Sequence, residues 1–296
     1  SHRLGQGQPV VTFEREGGCE KDQEPGRVDA QRDSADLEQL PAITHGVTPR
    51  QSPEETRSSA DLRKARTDMP ALAAPLLKIC GLTDPGQAKM VAALGVDAIG
   101  VIGVETSPRF VAAARRSEVF NAVAGSNPNC QRVLVVADPL TDAMITPDGQ
   151  TGHSVLQLHG HESRQRCLEL RRLLPPQLRI WKALRIRSQE DLARVRDYTD
   201  IVDAVLLDAW VPDQLGGTGQ RLPLQWLRGF DPPCPWWLAG GVSPESVEEI
   251  LASITPTGLD ASSGVETAPG VKDLPRVTAL RDAVQQRRRG GSITEH

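Results

Sequence analysis

At 296 residues the chain has room for one large α/β domain with an appendage, or for two domains. A formal net charge of −4 leaves no polybasic field of the kind that draws nucleic acid or an anionic membrane, so neither is an expected partner. No stretch approaches the roughly 20 apolar residues that cross a bilayer, and the N-terminus lacks the layout of a secretory signal, so a cytoplasmic location and small-molecule chemistry are expected.

Residues 1–70 read as a charged, disordered N-terminal extension. Stretches such as Cys19-Glu-Lys-Asp-Gln-Glu-Pro-Gly-Arg27 have no apolar periodicity and too little apolar surface to offset chain entropy. The first methionine is Met69, which leaves two readings open: a natural start there, or a genuine tail. From residue 71 to 290 short apolar runs alternate with amphipathic segments. The runs end at Cys80, Gly103, Asp138, Gln157, Leu184, Asp208, Gly240 and Ser262, and eight such units fit a (β/α)8 TIM barrel. In the first unit Asp84-Pro85 starts a helix, Ala88, Val91, Ala92 and Leu94 form its apolar face, and Gly95 closes it. The third helix, from Asp138, is short and interrupted by Pro147-Asp-Gly149. The last runs from Leu274 to about Gln286, with Arg287 to Gly291 as a frayed tail.

In a parallel barrel all strand C-termini share one face, so residues distant in sequence converge there. Cys80 and Asp208 end two of the runs and suggest a base and an acid. The helix that follows Cys80 offers positive partial charge that favours thiolate; otherwise the residue is a small buried hydrophobe. The apolar setting of Asp208 favours the protonated acid; otherwise it caps a loop. Gly240, Gly241, Ser263 and Gly264 follow the seventh and eighth runs, where barrels bind phosphate through backbone amides, and plain turn chemistry is the alternative. Arg109 offers a fork for a substrate carboxylate, or is a solvated surface residue. Lys78 points into the mouth or structures the interior, with His159 and Asp260 as further candidates. Gly216-Gly-Thr-Gly219 is either a phosphate cradle or a lid, and the tryptophans read as packing residues. The five cysteines are widely spaced without a C-x-x-C pair, and His159-Gly-His161 has no carboxylate or cysteine at ligand spacing, so reduced thiols and no metal are expected.

Taken together, Lys78-Ile-Cys-Gly-Leu-Thr83, Ser107-Pro-Arg109, Leu156-Gln-Leu-His-Gly160, Leu207-Asp208, Leu238-Ala-Gly-Gly241 and Asp260-Ala-Ser-Ser-Gly-Val-Glu266 with Lys272-Asp273 resemble the phosphoribosylanthranilate isomerase family in order and spacing, from Leu76 to Leu280. The resemblance implies an Amadori rearrangement of N-(5-phosphoribosyl)anthranilate in tryptophan biosynthesis, without a cofactor. Asp208 would be the acid, Cys80 the base and Arg109 the contact to the anthranilate carboxylate, with Gly241 and Gly264 in the phosphate loops. A monomer or homodimer acting on a small phosphorylated substrate is expected. The chain departs from the family at Val101-Ile-Gly-Val104, where aromatic residues are usual, and at Ala137-Asp138, where asparagine is frequent. A histidine-pathway sugar isomerase using two aspartates is a rival that Cys80 argues against. The third reading, a barrel without catalysis, is opposed by the intact Cys80, Asp208 and Arg109.

Overall fold

Apolar runs with no polar alternation suit strands covered on both faces, as parallel barrel strands are. The computed structural model describes residues 75–139, 152–209 and 221–290, and it shows that arrangement. The strands are β1 (Leu76–Cys80), β2 (Ala98–Ile102), β3 (Gln131–Val136), β4 (Val155–Leu158), β5 (Arg179–Ile186), β6 (Ala204–Ala209), β7 (Trp236–Ala239) and β8 (Gly258–Ala261). Each is parallel to its neighbours, and β8 pairs with β1 to close the barrel. Every strand ends no more than two residues from its expected position. The N-terminal extension, most of the third helix, the Gly216–Gly219 loop and Trp210 lie outside the described residues.

The helices are α1 (Pro85–Ala93), α2 (Ala113–Ser126), α3 (Arg164–Leu173), α4 (Val247–Ser253) and α5 (Leu274–Gly290). Single 3₁₀ segments at Gln189–Asp197 and Leu224–Leu227 follow β5 and β6. In α1 the Asp84 side chain accepts from Gln87 N at 2.7 Å, Pro85 takes the first turn, and Ala88, Val91 and Ala92 are buried, as its sequence predicts. The expected end of the last helix is corrected: α5 continues beyond Gln286 through Gly290. Gln-Gln-Arg-Arg-Arg contains no helix breaker, and glutamine and arginine both favour helix. Between β8 and α5 stands an antiparallel hairpin, β9 (Glu266–Ala268) and β10 (Val271–Lys272). Among the described residues no helix is long and apolar enough to cross a membrane.

Alternation along each strand divides the core in two. On β5, Trp181 and Ala183 join the barrel interior while Ile180, Leu184 and Ile186 pack against the helical layer. Inside, the rings of Trp181 and Trp237 lie 4.6 Å apart between centroids. Gly258 makes room for them, because a Cβ there would stand 2.4 Å from the Trp237 ring. Gly258→Ala is therefore expected to destabilise the barrel by about 1–3 kcal/mol. Urea denaturation would check this, and an unchanged midpoint would mean that the indole moves aside without strain.

At the N-terminal end one bond recurs four times. The residue preceding each even-numbered strand accepts, through its side chain, the backbone N–H of a residue early in the preceding odd-numbered strand. Asp97 Oδ2 accepts from Leu77 at 2.8 Å and Ser154 Oγ from Arg132 at 3.0 Å. Asp203 Oδ2 accepts from Ile180 at 2.8 Å and Thr257 Oγ1 from Trp236 at 3.1 Å. These bonds fix strand register at the end of the barrel away from the loops that carry chemistry.

Candidate active site

The C-terminal ends of the strands surround a cavity lined by Cys80, Arg109, His159, Asp208, Gly240, Gly241, Asp260, Ser263 and Gly264. Of the described residues proposed as catalytic, substrate-binding or phosphate-binding, Lys78 does not line it. It lies below in the interior, where its ammonium meets Asp260 Oδ2 at 2.8 Å with no solvent exposure. Ile102, Val104, Val135 and Gln157 add to the wall.

Cys80 is the last residue of β1 and is buried. Space for it comes from Gly100 on the neighbouring strand, since a Cβ there would sit 2.7 Å from Cys80 Sγ and 3.2 Å from Lys78 Cε. Burial and side-chain charges act on the thiol besides the helix terminus that the sequence suggests. Burial pushes the Cys80 thiol above its ordinary range; the ammonium of Lys78, and more weakly that of Lys272, oppose the rise, while Asp260 adds to it. The charges that help this thiol ionise are thus buried lysines. Lys78 is itself pulled two ways: burial would lower it, but Asp260 and Cys80 outweigh burial and hold it raised. Burial likewise raises Asp260 despite Lys78.

Asp208 is the next-to-last residue of β6 and is buried. His159 Nε2 lies 3.4 Å from Asp208 Oδ2, in electrostatic contact but not aligned as a hydrogen bond. Gln157 Nε2 lies 3.2 Å from His159 Nδ1, and in this amide orientation Nδ1 accepts and Nε2 carries the hydrogen. Asp260 Oδ1, Gln157 Oε1 and His159 Nε2 are buried without hydrogen-bond partners among the described residues, and all three residues line the cavity. Orphaned polar atoms are costly in a folded interior, and a polar ligand in the cavity would satisfy them.

The Arg109 fork is already engaged. Nε donates to both Glu266 oxygens, at 3.0 and 3.1 Å, and Nη2 donates to Oε2 at 2.7 Å. The two-bond face expected to read a substrate carboxylate is held internally by Glu266, while the residue still lines the cavity. The side chain passes over Gly81, whose φ is +83° and where a Cβ would stand 2.5 Å from Arg109 Cδ.

Gly240 and Gly241 have φ of +83° and +64°, the left-handed region that glycine enters without strain. Ser246 Oγ donates to Gly241 O at 2.7 Å and accepts from Ser243 N, fixing this loop. The second loop is held by Arg276, which donates to Gly264 O from Nε and Nη2. Gly264 passes so close to the first loop that a Cβ would stand 2.2 Å from Val242 O.

Two supporting residues carried no distinctive signal in the sequence, and a third was named there only as part of a run and a motif. Glu162 and Lys182 form a buried pair at 2.7 Å, and Glu162 Oε1 also accepts from Asp138 N and Gly160 N, tying together the ends of β3 and β4. Gln157 precedes His159 by two residues and faces the same interior, a relation that strand alternation could have revealed.

Thiol and carboxylate converge at one end of a closed parallel barrel, with two glycine-bearing loops on the strands between them, which is the architecture of a (β/α)8-barrel enzyme. Residues 77–283 match the family of N-(5'-phosphoribosyl)anthranilate (PRA) isomerase. The chain belongs to that family. It is 47% identical over 204 residues to the N-(5'-phosphoribosyl)anthranilate isomerase of Synechococcus elongatus, spanning 69% of this chain and 93% of that protein. To the enzyme of the same name from Trichormus variabilis it is 44% identical, over 71% of this chain and 99% of the relative. Among solved structures, TrpF from Jonesia denitrificans is 34% identical and superposes with a TM-score of 0.58, covering 75% of this chain and 100% of that one. The Thermus thermophilus phosphoribosyl anthranilate isomerase is 29% identical, with a TM-score of 0.58 over 71% and 98% of the two chains.

Proposed function

We propose that this protein is a cytoplasmic, cofactor-independent aldose–ketose isomerase of tryptophan biosynthesis. It would convert N-(5-phosphoribosyl)anthranilate to 1-(2-carboxyphenylamino)-1-deoxyribulose 5-phosphate, with residues 71–290 as the isomerase domain. The observation that carries the reading is buried Cys80 and Asp208 at one mouth, with unpartnered polar atoms on His159, Gln157 and Asp260, which line the same cavity. In the proposed sequence Asp208 protonates the ribose ring oxygen, the C1′–O bond breaks, and the anilino nitrogen supplies the electron pair that forms the Schiff base. Cys80 then removes the C2′ proton to give the enolamine, which tautomerises to the ketone. Oxidation at C2′ is balanced by reduction at C1′ within one molecule, so no external electron carrier is required. The loops at Gly240-Gly241 and Ser263-Gly264 would hold the phosphate, and that binding energy would orient the sugar between acid and base. Loss of phosphoribosylanthranilate fluorescence on adding the purified protein tests the reading; no turnover of freshly made substrate would reject it.

Arg109, which lines the cavity while Glu266 holds one face of its fork, is assigned to the anthranilate carboxylate. Arg109→Met is expected to weaken binding of anthranilate-bearing ligands by about 1.5–3 kcal/mol, the range for hydrogen bonds to charged groups. Calorimetric titration of the reduced product and of ribose 5-phosphate would check it, since the sugar phosphate should be little affected. Equal losses for both ligands would show that Arg109 acts only on the general architecture.

A further inference from the structure

The β9–β10 hairpin projects two charged side chains from paired positions, Glu266 and Lys272, into the interior. The Lys272 side chain has no solvent exposure, and the ammonium donates to Cys80 O and Glu266 Oε1, with Ser262 O at 3.5 Å. Glu266 turns its other side to the Arg109 fork. One continuous chain of charge therefore runs from Arg109 through Glu266 and Lys272 to the backbone of the residue that carries the thiol. The hairpin is seated on the same strand tip from outside. Gln87 clamps the Lys272 backbone in both directions, its Oε1 accepting from Lys272 N at 2.8 Å and its Nε2 donating to Lys272 O at 3.1 Å. Thr83 Oγ1 donates to Gly270 O at 3.1 Å.

We propose that Glu266 and Lys272 are positioning residues that lock the Cys80 end of β1 to the Arg109 fork, so that one buried ion triad aligns substrate anchoring with proton abstraction. This rests on the assignment of Cys80 as base and Arg109 as carboxylate contact. Charge count supports it: two cations and one anion leave the triad one negative charge short, and the carboxylate of an anthranilate group would complete it. The electrostatics agree. Burial works against the Glu266 carboxylate, but Arg109 and Lys272 hold it below its ordinary range, while burial keeps Lys272 low despite Glu266. Around Cys80 stand Lys78 on its own strand, Asp260 on β8 and Lys272 on β10, with Arg109 and Glu266 behind Lys272 and His159 and Asp208 on other parts of the cavity wall. Of these, Lys272 bonds the Cys80 backbone and also lowers the thiol electrostatically.

The test is the pH dependence of kcat/KM and the separate kcat and KM of Lys272→Met, Lys272→Arg and Gln87→Ala, with Cys80→Ala assayed in parallel and folding monitored by near-ultraviolet circular dichroism. Lys272→Met should lower kcat by at least tenfold, raise KM and move the acidic limb of kcat/KM to higher pH, because the thiol loses a cation that favours its ionised form. Lys272→Arg should restore the position of the limb while recovering only part of kcat. If Lys272→Met does not fold, Gln87→Ala decides, because it loosens the hairpin without leaving an unpaired buried charge; it should lower kcat and raise KM by about threefold or more. A folded Lys272→Met with an unmoved limb, or a folded Gln87→Ala with wild-type constants, overturns the proposal. An active Cys80→Ala instead overturns the underlying assignment of the base, so the two failures are distinguishable.

Discussion

Cys80→Ala is expected to lower kcat by about 10²- to 10⁴-fold, the usual value of a positioned acid–base group, and to leave affinity for phosphate-bearing ligands nearly intact. The thiol reaches the cavity from the tip of β1, whereas the proposed phosphate contacts follow β7 and β8. Alanine fits the space that Gly100 keeps clear, so the barrel should tolerate the change. The direction of the thiol shift supplies a second readout. Burial raises Cys80, so its thiolate forms only as pH rises through a range above that of an ordinary cysteine, and kcat/KM of the unaltered protein should climb with pH accordingly. That rising limb should vanish in Cys80→Ala. Stopped-flow fluorescence of substrate loss across pH, with product-analogue binding measured separately, would decide. A variant with near-normal turnover cannot be using this thiol as its base.

Asp208→Asn is expected to have an effect of similar size on kcat through a different failure. The amide keeps the shape of the carboxyl beside His159, but it has no dissociable proton for the ribose ring oxygen. Ring opening should therefore become limiting while ligand affinity changes little. Steady-state kinetics at several pH values together with calorimetric binding would check this. Weakened binding with unchanged kcat would make Asp208 a ligand contact instead.

The barrel was legible in the sequence because each strand lies in a short, mainly apolar run followed within a few residues by a glycine or a polar residue, and the parallel fold brings those ends to one face. Cys80, Asp208, Arg109 and the glycine loops could accordingly be placed together before any coordinates. Less legible were the groups whose role depends on what they meet. Glu266 and Lys272 sit on strands of three and two residues, too short for periodicity to register, and a buried lysine looks in sequence like a solvated one. The Glu162–Lys182 pair was hidden for the same reason. A helix N-terminus near Cys80 is visible in sequence, whereas the depth of burial of the thiol and the two lysines that act on it emerge only when β1, β8 and β10 are assembled. The continuation of α5 past Gln286 is a matter of helix propensity, since Gln286 to Arg289 are good helix formers with Gly290 at the end.

The four side-chain bonds beneath the barrel divide the wheel into bolted pairs: β1 with β2, β3 with β4, β5 with β6, and β7 with β8. The pairs contribute Cys80, His159, Asp208 and Asp260 respectively to the mouth. Each module thus brings its own fastening and its own reactive or polar group, and the fastening is at the end remote from the chemistry. Loops at the mouth can be exchanged between relatives module by module while the bolts preserve register, which makes the seams after β2, β4 and β6 the natural crossover points for building chimeras.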